Sequence, residues 1–303
     1  MLTHQQLSSH CYPDYSVMRS VSATQAPNIF DKSNPVFKEL HSTMDSVYRK
    51  LRSNGVGAEK QSAEPFTKEE ENKLWEQGIM GNGSPEALLR AVFFYNGKNF
   101  CLRGGEEHRN LRLSQLKRTQ NGYIYTENAS KNRQGGLGQL HLKNKSVEIY
   151  ANRDAGDRCH CALLDRHISK LPKEAKSKDL FYVRPLEQAK VCDKSWYYNA
   201  PVGRNKLSKM VSEMCKLANI PGRHTNHSLR ATGATDLYTA GVPEKIIQER
   251  TGHRSIESLR TYEHTSEKQK LAVSKVLSSK TEVNFQSEMN KLEAHCSQAL
   301  LQV

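Results

Sequence analysis

Residues 226–264 read NHSLRATGATDLYTAGVPEKIIQERTGHRSIESLRTYEH. The stretch opens with a His-x-x-Arg pair, His227 and Arg230, and continues to a Gly-His pair, Gly252 and His253. Nine residues beyond that histidine stands a tyrosine, Tyr262. A spacing of three puts His227 and Arg230 on one face of a helix, where both side chains can converge on one target. Arginine offers an oxyanion a planar fork of donors and keeps its charge at any working pH. A tyrosine hydroxyl, with an ordinary pKa near ~10, needs such neighbours before it attacks at neutral pH. No acidic cage for a metal accompanies these residues, and the set reads as metal-free attack on a phosphodiester.

The order His-x-x-Arg, Gly-His, Tyr, with 23 residues from Arg230 to His253, resembles the catalytic part of the tyrosine recombinases, the phage integrases and the Xer and Cre-type enzymes. Two further stretches and the start of this one carry a closer likeness: FFYNGKNFCLRGGEEHRNLRLSQL at 93–116, YIYTENASKNRQGG at 123–136 and NHSLRATGAT at 226–235. They resemble the Crypton-type recombinases of eukaryotic DNA transposons and the related C-terminal domain of MYM-type zinc-finger proteins. The likeness extends over residues 34–279.

The resemblance implies an α+β fold, mainly α, with a small antiparallel three-stranded sheet. It implies DNA strand cleavage and rejoining through a 3′-phosphotyrosine, as in site-specific recombination or integration, with neither cofactor nor metal. Carried over residue by residue, Arg103 binds a non-bridging oxygen of the scissile phosphate, and Glu106, three residues on, holds that arginine in place. Lys131, in the turn after the GYIYTE strand, protonates the departing 5′ oxygen, with Lys143 and Lys145 as competitors. His227 and Arg230 complete the phosphate cradle, His253 donates to the same oxygens, and Tyr262 is the nucleophile. Double-stranded DNA is the implied partner, with self-assembly as dimer or tetramer on it, in the nucleus. Two other readings stay open. One is a domesticated DNA-binding or transcription-associated module that no longer cuts; the other is a type IB topoisomerase.

Composition agrees with a nucleic-acid partner. Lys and Arg number 45 against 32 acidic residues in 303, a net charge of +13, although phosphate binding needs clustered charge and not excess alone. Seven cysteines, odd in number and dispersed, argue for free thiols in a reducing compartment. No apolar run approaches the roughly 18 residues of a membrane span. Cys159, His160 and Cys161, with His167 downstream, are metal-ligating types, but C-x-C without a second pair is a weak zinc signal.

Residues 1–33 are polar and aperiodic and are expected to be disordered. Residues 34–65 hold one amphipathic helix, the expected remnant of a truncated N-terminal helical DNA-binding domain. Residues 66–280 form the expected catalytic domain. Within it, helices are expected from Thr67 to Gly78, from Ser84 through residue 100, over 205–218, from Pro243 to Gly252, from Ser255 through Tyr262 and over 266–277. Residues 102–116 read as a helix passing into a strand, 122–127 and 140–151 as strands, and helices resume at Ala162. The tail, 281–303, is expected to be helical. Its apolar stripe at Phe285, Met289, Leu292, Cys296 and Leu300 would face a neighbouring protomer or fold back.

Overall fold

The structure, a computed structural model, describes residues 28–56, 63–128, 144–263, 267–279, 284 and 286–291. Residues 1–27, Lys131 and most of the tail stripe, Phe285, Leu292, Cys296 and Leu300, lie outside the described residues. The chain divides into two compact units, Met1–Gln61 and Ser62–Val303.

In the first unit Asn34 caps a turn of 3-10 helix, Pro35–Phe37, that leads into α1, Lys38–Ser53. α1 ends where sequence chemistry requires: Gly55 takes the left-handed conformation at φ +75°, and the Val56 N–H closes back on the Leu51 carbonyl at 2.9 Å. Its apolar row is exposed, with Val47, Tyr48 and Leu51 turned to solvent.

The second unit is assembled around one buried helix. α2 (Lys68–Glu76) begins in a capping box between Thr67 and Glu70 and carries three glutamates in its first turn, complementing the helix dipole. Gly78, at φ +66°, turns the chain out of it. α3 (Pro85–Asn99) is capped by Ser84 with Pro85 at its first position, and is buried on nearly every side. Leu88, Leu89, Phe93 and Phe94 are fully enclosed, each worth about 1.5–3 kcal/mol of removal from water. Around α3 pack α5 (His160–Lys170), α7 (Arg204–Leu217) and α8 (Asn226–Thr239).

The α3–α8 crossing depends on two glycines. A Cβ on Gly97 would lie 2.6 Å from Leu229 Cδ1, and one on Gly233 would lie 2.3 Å from the Lys98 carbonyl oxygen. Beside the crossing Lys98 is clamped by Glu71 at 2.7 Å and Asp236 at 2.9 Å. Burial opposes its charge, but those two carboxylates outweigh it and lift the Lys98 pKa above the ordinary lysine value.

The three-stranded sheet is present, antiparallel in the order β1 (Leu116–Arg118), β2 (Gly122–Thr126), β3 (Ser146–Tyr150). Its inner face is the alternating set Tyr123, Tyr125, Val147 and Ile149, all buried. Residues 102–116 differ from expectation. Only one helical turn forms, α4 (Glu106–Arg109), because Cys101 at φ +52° and Gly105 at φ +100° break the chain before it. A 3-10 turn, Leu113–Gln115, then leads into β1.

Helices resume at His160, ahead of the expected Ala162. α6 (Lys173–Ser177) follows, and β4 (Val183–Pro185) pairs with β5 (Tyr197–Pro201), a strand whose sequence shows no alternation. α7 buries Leu207, Met210, Val211 and Met214 as its spacing predicts, but leaves Leu217 exposed. α9 (Glu244–Thr251) stops at Gly252 with φ +71°. Ser255 caps α10 (Ile256–Arg260), which ends before Tyr262, so the tyrosine stands in the following turn and not on the helix. α11 (Glu267–Ser278) follows, and residues 286–291 of the tail are helical as well. Among the described residues no helix is long and apolar enough to cross a membrane, and Cys101, Cys159, Cys161, Cys192 and Cys215 are free thiols.

Gly233→Ala forces a methyl into the Lys98 carbonyl, a backbone atom that cannot turn aside. It should cost about 3 kcal/mol, at the upper end of overpacking, and lower Tm by roughly 6–12 °C. Gly81→Ala, whose methyl would meet only Ala87 Cβ at 3.7 Å, is the matched control. Equal melting of the two variants would show that the helices do not depend on this contact.

Candidate active site

α8 presents the His-x-x-Arg pair. Its start is fixed twice: the Thr225 hydroxyl accepts the His227 N–H at 3.2 Å, and the Asn226 amide donates to the Leu207 carbonyl of α7 at 2.7 Å. His227 thereby stands exposed in the first turn. Arg230, one turn on, points inward and is only 2 % exposed. Burying a guanidinium is costly unless its donors are taken. One Arg230 nitrogen, Nη1, donates to the Cys101 carbonyl at 2.5 Å, and Nη2 donates to His253 Nε2 at 3.3 Å.

Tyr262 closes the group. Its hydroxyl lies 2.8 Å from His227 Nε2, its ring centroid 5.4 Å from that of His253, and its carbonyl accepts from the Thr235 hydroxyl at 3.0 Å. Burial raises the Tyr262 pKa, while the charges of Arg230 and Arg103 and a hydrogen bond from Arg230 oppose the rise. His227, exposed as a residue but partly covered at its ring, is held below the ordinary histidine value by that desolvation first and then by Arg230 and Arg103. His253 is pushed down to about 3 by burial and by Arg230, Arg103, Lys145 and His227. Both imidazoles are therefore neutral near pH 7, and His227 is free to accept the tyrosine proton.

Arg103 comes from the loop before α4. Its charge acts on His227, Arg230, His253 and Tyr262 alike, so it belongs to the same group. The loop approaches α8 closely: a Cβ on Gly104 would lie 3.0 Å from the His227 main-chain nitrogen. The carboxylate that holds Arg103 is Glu107, not Glu106. Glu107 is buried and accepts from the Arg103 main-chain N–H at 2.7 Å and from Nη1 at 2.9 Å. Glu106 faces solvent and pairs with Arg109 at 3.3 Å. The break at Gly105 starts a fresh helical turn there, and this turn aims position 107 inward.

Lys131 lies outside the described residues, as does Lys143. Lys145, at the base of the same hairpin, is 5 % exposed. It donates to the Phe100 carbonyl at 2.5 Å and reaches the Cys101 carbonyl at 3.4 Å. Burial lowers its pKa to about 8, and its stem packs under Gly252, where a Cβ would meet Lys145 Cδ at 3.1 Å. Sequence reading named Lys145 only as a competitor and passed over Glu107 and the Cys101 carbonyl. An Arg-x-x-x-Glu spacing was there to find Glu107; nothing in the sequence marks the carbonyl.

His160 and His167, singled out as metal-ligating types, are core side chains. His160 sits 2.9 Å from Asn96 Oδ1, and His167 bridges the Tyr197 hydroxyl and the Phe181 carbonyl, both at 3.0 Å. Among the described residues no group of His, Cys, Asp and Glu is arranged to hold a metal ion. The assembled group is instead a half-buried cluster of guanidinium donors around a tyrosine hydroxyl and two neutral imidazoles, suited to an oxyanion.

Removal of the buried Glu107 charge leaves Arg103 unanchored, so Glu107→Gln should destabilise by about 1–3 kcal/mol, discounted for the part exposure of Arg103. Glu106→Gln should be silent within about 0.5 kcal/mol. Urea unfolding of the two variants tests the assignment, and a larger loss for Glu106→Gln would reverse it.

Over 171 residues the chain is 28 % identical to Zinc finger MYM-type protein 3 of Mus musculus, covering 51 % of this chain and 12 % of that protein. It is 27 % identical over 160 residues to Transcriptional regulator QRICH1 of Homo sapiens, covering 50 % of this chain and 20 % of that one. The chain thus spans about an eighth to a fifth of the length of these relatives. Among solved structures XerA recombinase is similar with a TM-score of 0.46 and 17 % identity, over 74 % of this chain and 68 % of that one. Residues 65–216, which include Arg103, Glu107 and Lys145 and stop short of α8, match the family described as Domain of unknown function (DUF3504), and the chain belongs to that family.

Proposed function

We propose that this chain cuts and rejoins double-stranded DNA through a 3′-phosphotyrosine on Tyr262, a transposon-derived recombination or integration chemistry. One observation carries the reading: the Tyr262 hydroxyl lies 2.8 Å from Nε2 of a neutral His227, with Arg230 and Arg103 beside it. Tyr262 Oη forms the bond to phosphorus as its proton passes to His227, and the bond from phosphorus to the 5′ oxygen breaks. Arg103 and Arg230 stabilise the charge that builds on the non-bridging oxygens. His253 adds a third donor. The departing 5′ oxygen takes its proton from Lys131, which the hairpin likeness names for this role. Lys145 supports that choice indirectly, because its ammonium is committed to main-chain carbonyls. The phosphotyrosine conserves the phosphodiester bond energy, so a 5′ hydroxyl from another strand reverses the step. Self-assembly on DNA brings that second strand, and the nucleus is the compartment where such a substrate is met.

The second reading, a module that binds DNA without cutting, is favoured by the name of one relative, Transcriptional regulator QRICH1. Incubation with supercoiled plasmid followed by denaturation separates the readings. Cleavage leaves protein covalently joined to DNA, a binding module leaves none, and a type IB topoisomerase relaxes plasmid of any sequence. Tyr262→Phe should abolish the adduct and leave DNA affinity nearly unchanged, since only one oxygen is removed. An adduct that survives in this variant would assign the nucleophile elsewhere.

The general acid is tested by changing the leaving group. Lys131→Ala should slow cleavage of ordinary DNA by roughly 10²–10⁴-fold. A substrate with sulfur at the bridging 5′ position leaves as a thiolate of conjugate-acid pKa about 8–9 and needs no proton, so it should restore the Lys131→Ala rate. Lys145→Ala and Arg103→Ala should not be rescued. Rescue of Lys145→Ala in place of Lys131→Ala would move the acid to Lys145, whose lowered pKa of about 8 suits the task.

A further inference from the structure

Thr251 closes α9 with 1 % exposure, and its hydroxyl has two close partners besides the more distant Gln248 carbonyl at 3.4 Å. The Ile247 carbonyl lies at 2.7 Å and His253 Nδ1 also at 2.7 Å. A hydroxyl has one proton to give and lone pairs to receive. A carbonyl only accepts, so while the hydroxyl serves Ile247 it must receive the proton of His253 Nδ1. His253 Nε2 is then a lone pair. Its observed partner agrees, because the Nη2 of Arg230 at 3.3 Å can only donate. The arrangement is self-consistent for the Nδ1–H form, in which His253 holds Arg230 but has no proton to offer an oxyanion.

We propose that Thr251 is a positioning residue that switches His253 between two tautomers, the Nδ1–H form in the free protein and the Nε2–H form when a phosphate oxygen occupies the site. The inference rests on the phosphate-binding reading of this cluster. In the switch the Thr251 hydroxyl turns from the Ile247 carbonyl to His253 Nδ1 and becomes its donor. The ring gives up its Nδ1 proton to solvent and takes one from solvent at Nε2, so its charge does not change. Nε2–H and the released Arg230 Nη2 then both point donors at the phosphate. The Ile247 carbonyl is not stranded, because within α9 it also accepts the main-chain N–H four residues on. The cost of the switch is one hydroxyl rotation, and the gain is two donors on an anion, each charge-assisted. Serine can perform the same rotation. Valine, nearly the same shape, can neither give nor receive.

The test uses the full chain labelled with ¹⁵N-histidine, the His253 signals being identified by their loss in His253→Gln, and vanadate as the oxyanion. The free protein should show His253 protonated at Nδ1, and saturating vanadate should move the proton to Nε2. Thr251→Val should deplete the Nδ1–H form in the free protein and slow adduct formation by roughly tenfold at unchanged DNA affinity, as expected when a catalytic donor loses its alignment. Thr251→Ser should restore both. An Nε2–H ring in the free wild-type protein overturns the proposal, as does an Nδ1–H ring that persists with vanadate bound, a failure to bind vanadate, or a wild-type adduct rate in Thr251→Val. Absence of any adduct from the wild-type chain would sink the cleavage reading instead, and the two tautomer measurements, which need only the oxyanion, still decide this one.

Discussion

The close approach of α3 and α8 is the constraint on which the site depends. Gly97 lies against Leu229 and Gly233 against the Lys98 carbonyl, each with no room for a methyl group. Because the helices meet so closely, the carbonyl end of α3 comes within reach of side chains that stand one turn away on α8. A helix C-terminus leaves its last carbonyls without partners and carries partial negative charge. Here three cations take the carbonyls at and just beyond that end: Arg250 on Asn99, Lys145 on Phe100 and Arg230 on Cys101. The end of α3 is thus the anchor for a cluster of positive side chains from α8, α9 and the β2–β3 hairpin.

That cluster is electrostatically one-sided. Arg103, Arg230 and Lys145 stand close enough to add to the depression of the histidine between them, and among the described residues only Glu107 is buried against an arginine of the group. Like charges gathered in a half-dry site oppose folding. They persist because main-chain carbonyls, which cannot be protonated away, satisfy Arg230 and Lys145 from beneath, and Glu107 holds Arg103. Burial first, and then the same crowding, keeps His227 and His253 neutral, so the tyrosine faces a proton acceptor and not another cation. A phosphate entering the group would meet donors already fixed in place, the condition under which hydrogen bonds and charges act most strongly on a reaction.

The opposite side of the crossing shows the same economy with reversed sign. Glu71 and Asp236 close on Lys98, and Glu71 also accepts from the Tyr95 hydroxyl at 2.7 Å. These contacts tie α2, α3 and α8 together away from the candidate site. The arrangement separates the scaffold lysine, matched to two carboxylates, from the cations of the site face, of which Arg230 and Lys145 are matched to carbonyls and Arg103 to Glu107.

Local signals in the sequence determined most of the helical frame. Thr67 with Glu70, Ser84 with Pro85, and the glycines at 55, 78 and 252 act through atoms within a turn of themselves, so their effect is legible without a fold. Alternation likewise marked β2 and β3, and the residue types His227, Arg230, His253 and Tyr262 marked a candidate site whose members the fold brings together. Spacing did not separate Glu106 from Glu107, since positions three and four along both face Arg103 on a continuous helix. The break at Gly105 decided it. The partners of Arg230 and Lys145 were equally hidden, because a carbonyl oxygen exists at every residue and acquires a role only from position. Thr251 looked like any helix-terminal threonine until the turn at Gly252 folded His253 back onto its hydroxyl. Side-chain chemistry is written in the sequence; which backbone atom or neighbour it meets is set by long-range packing, here by two glycines that let two helices touch.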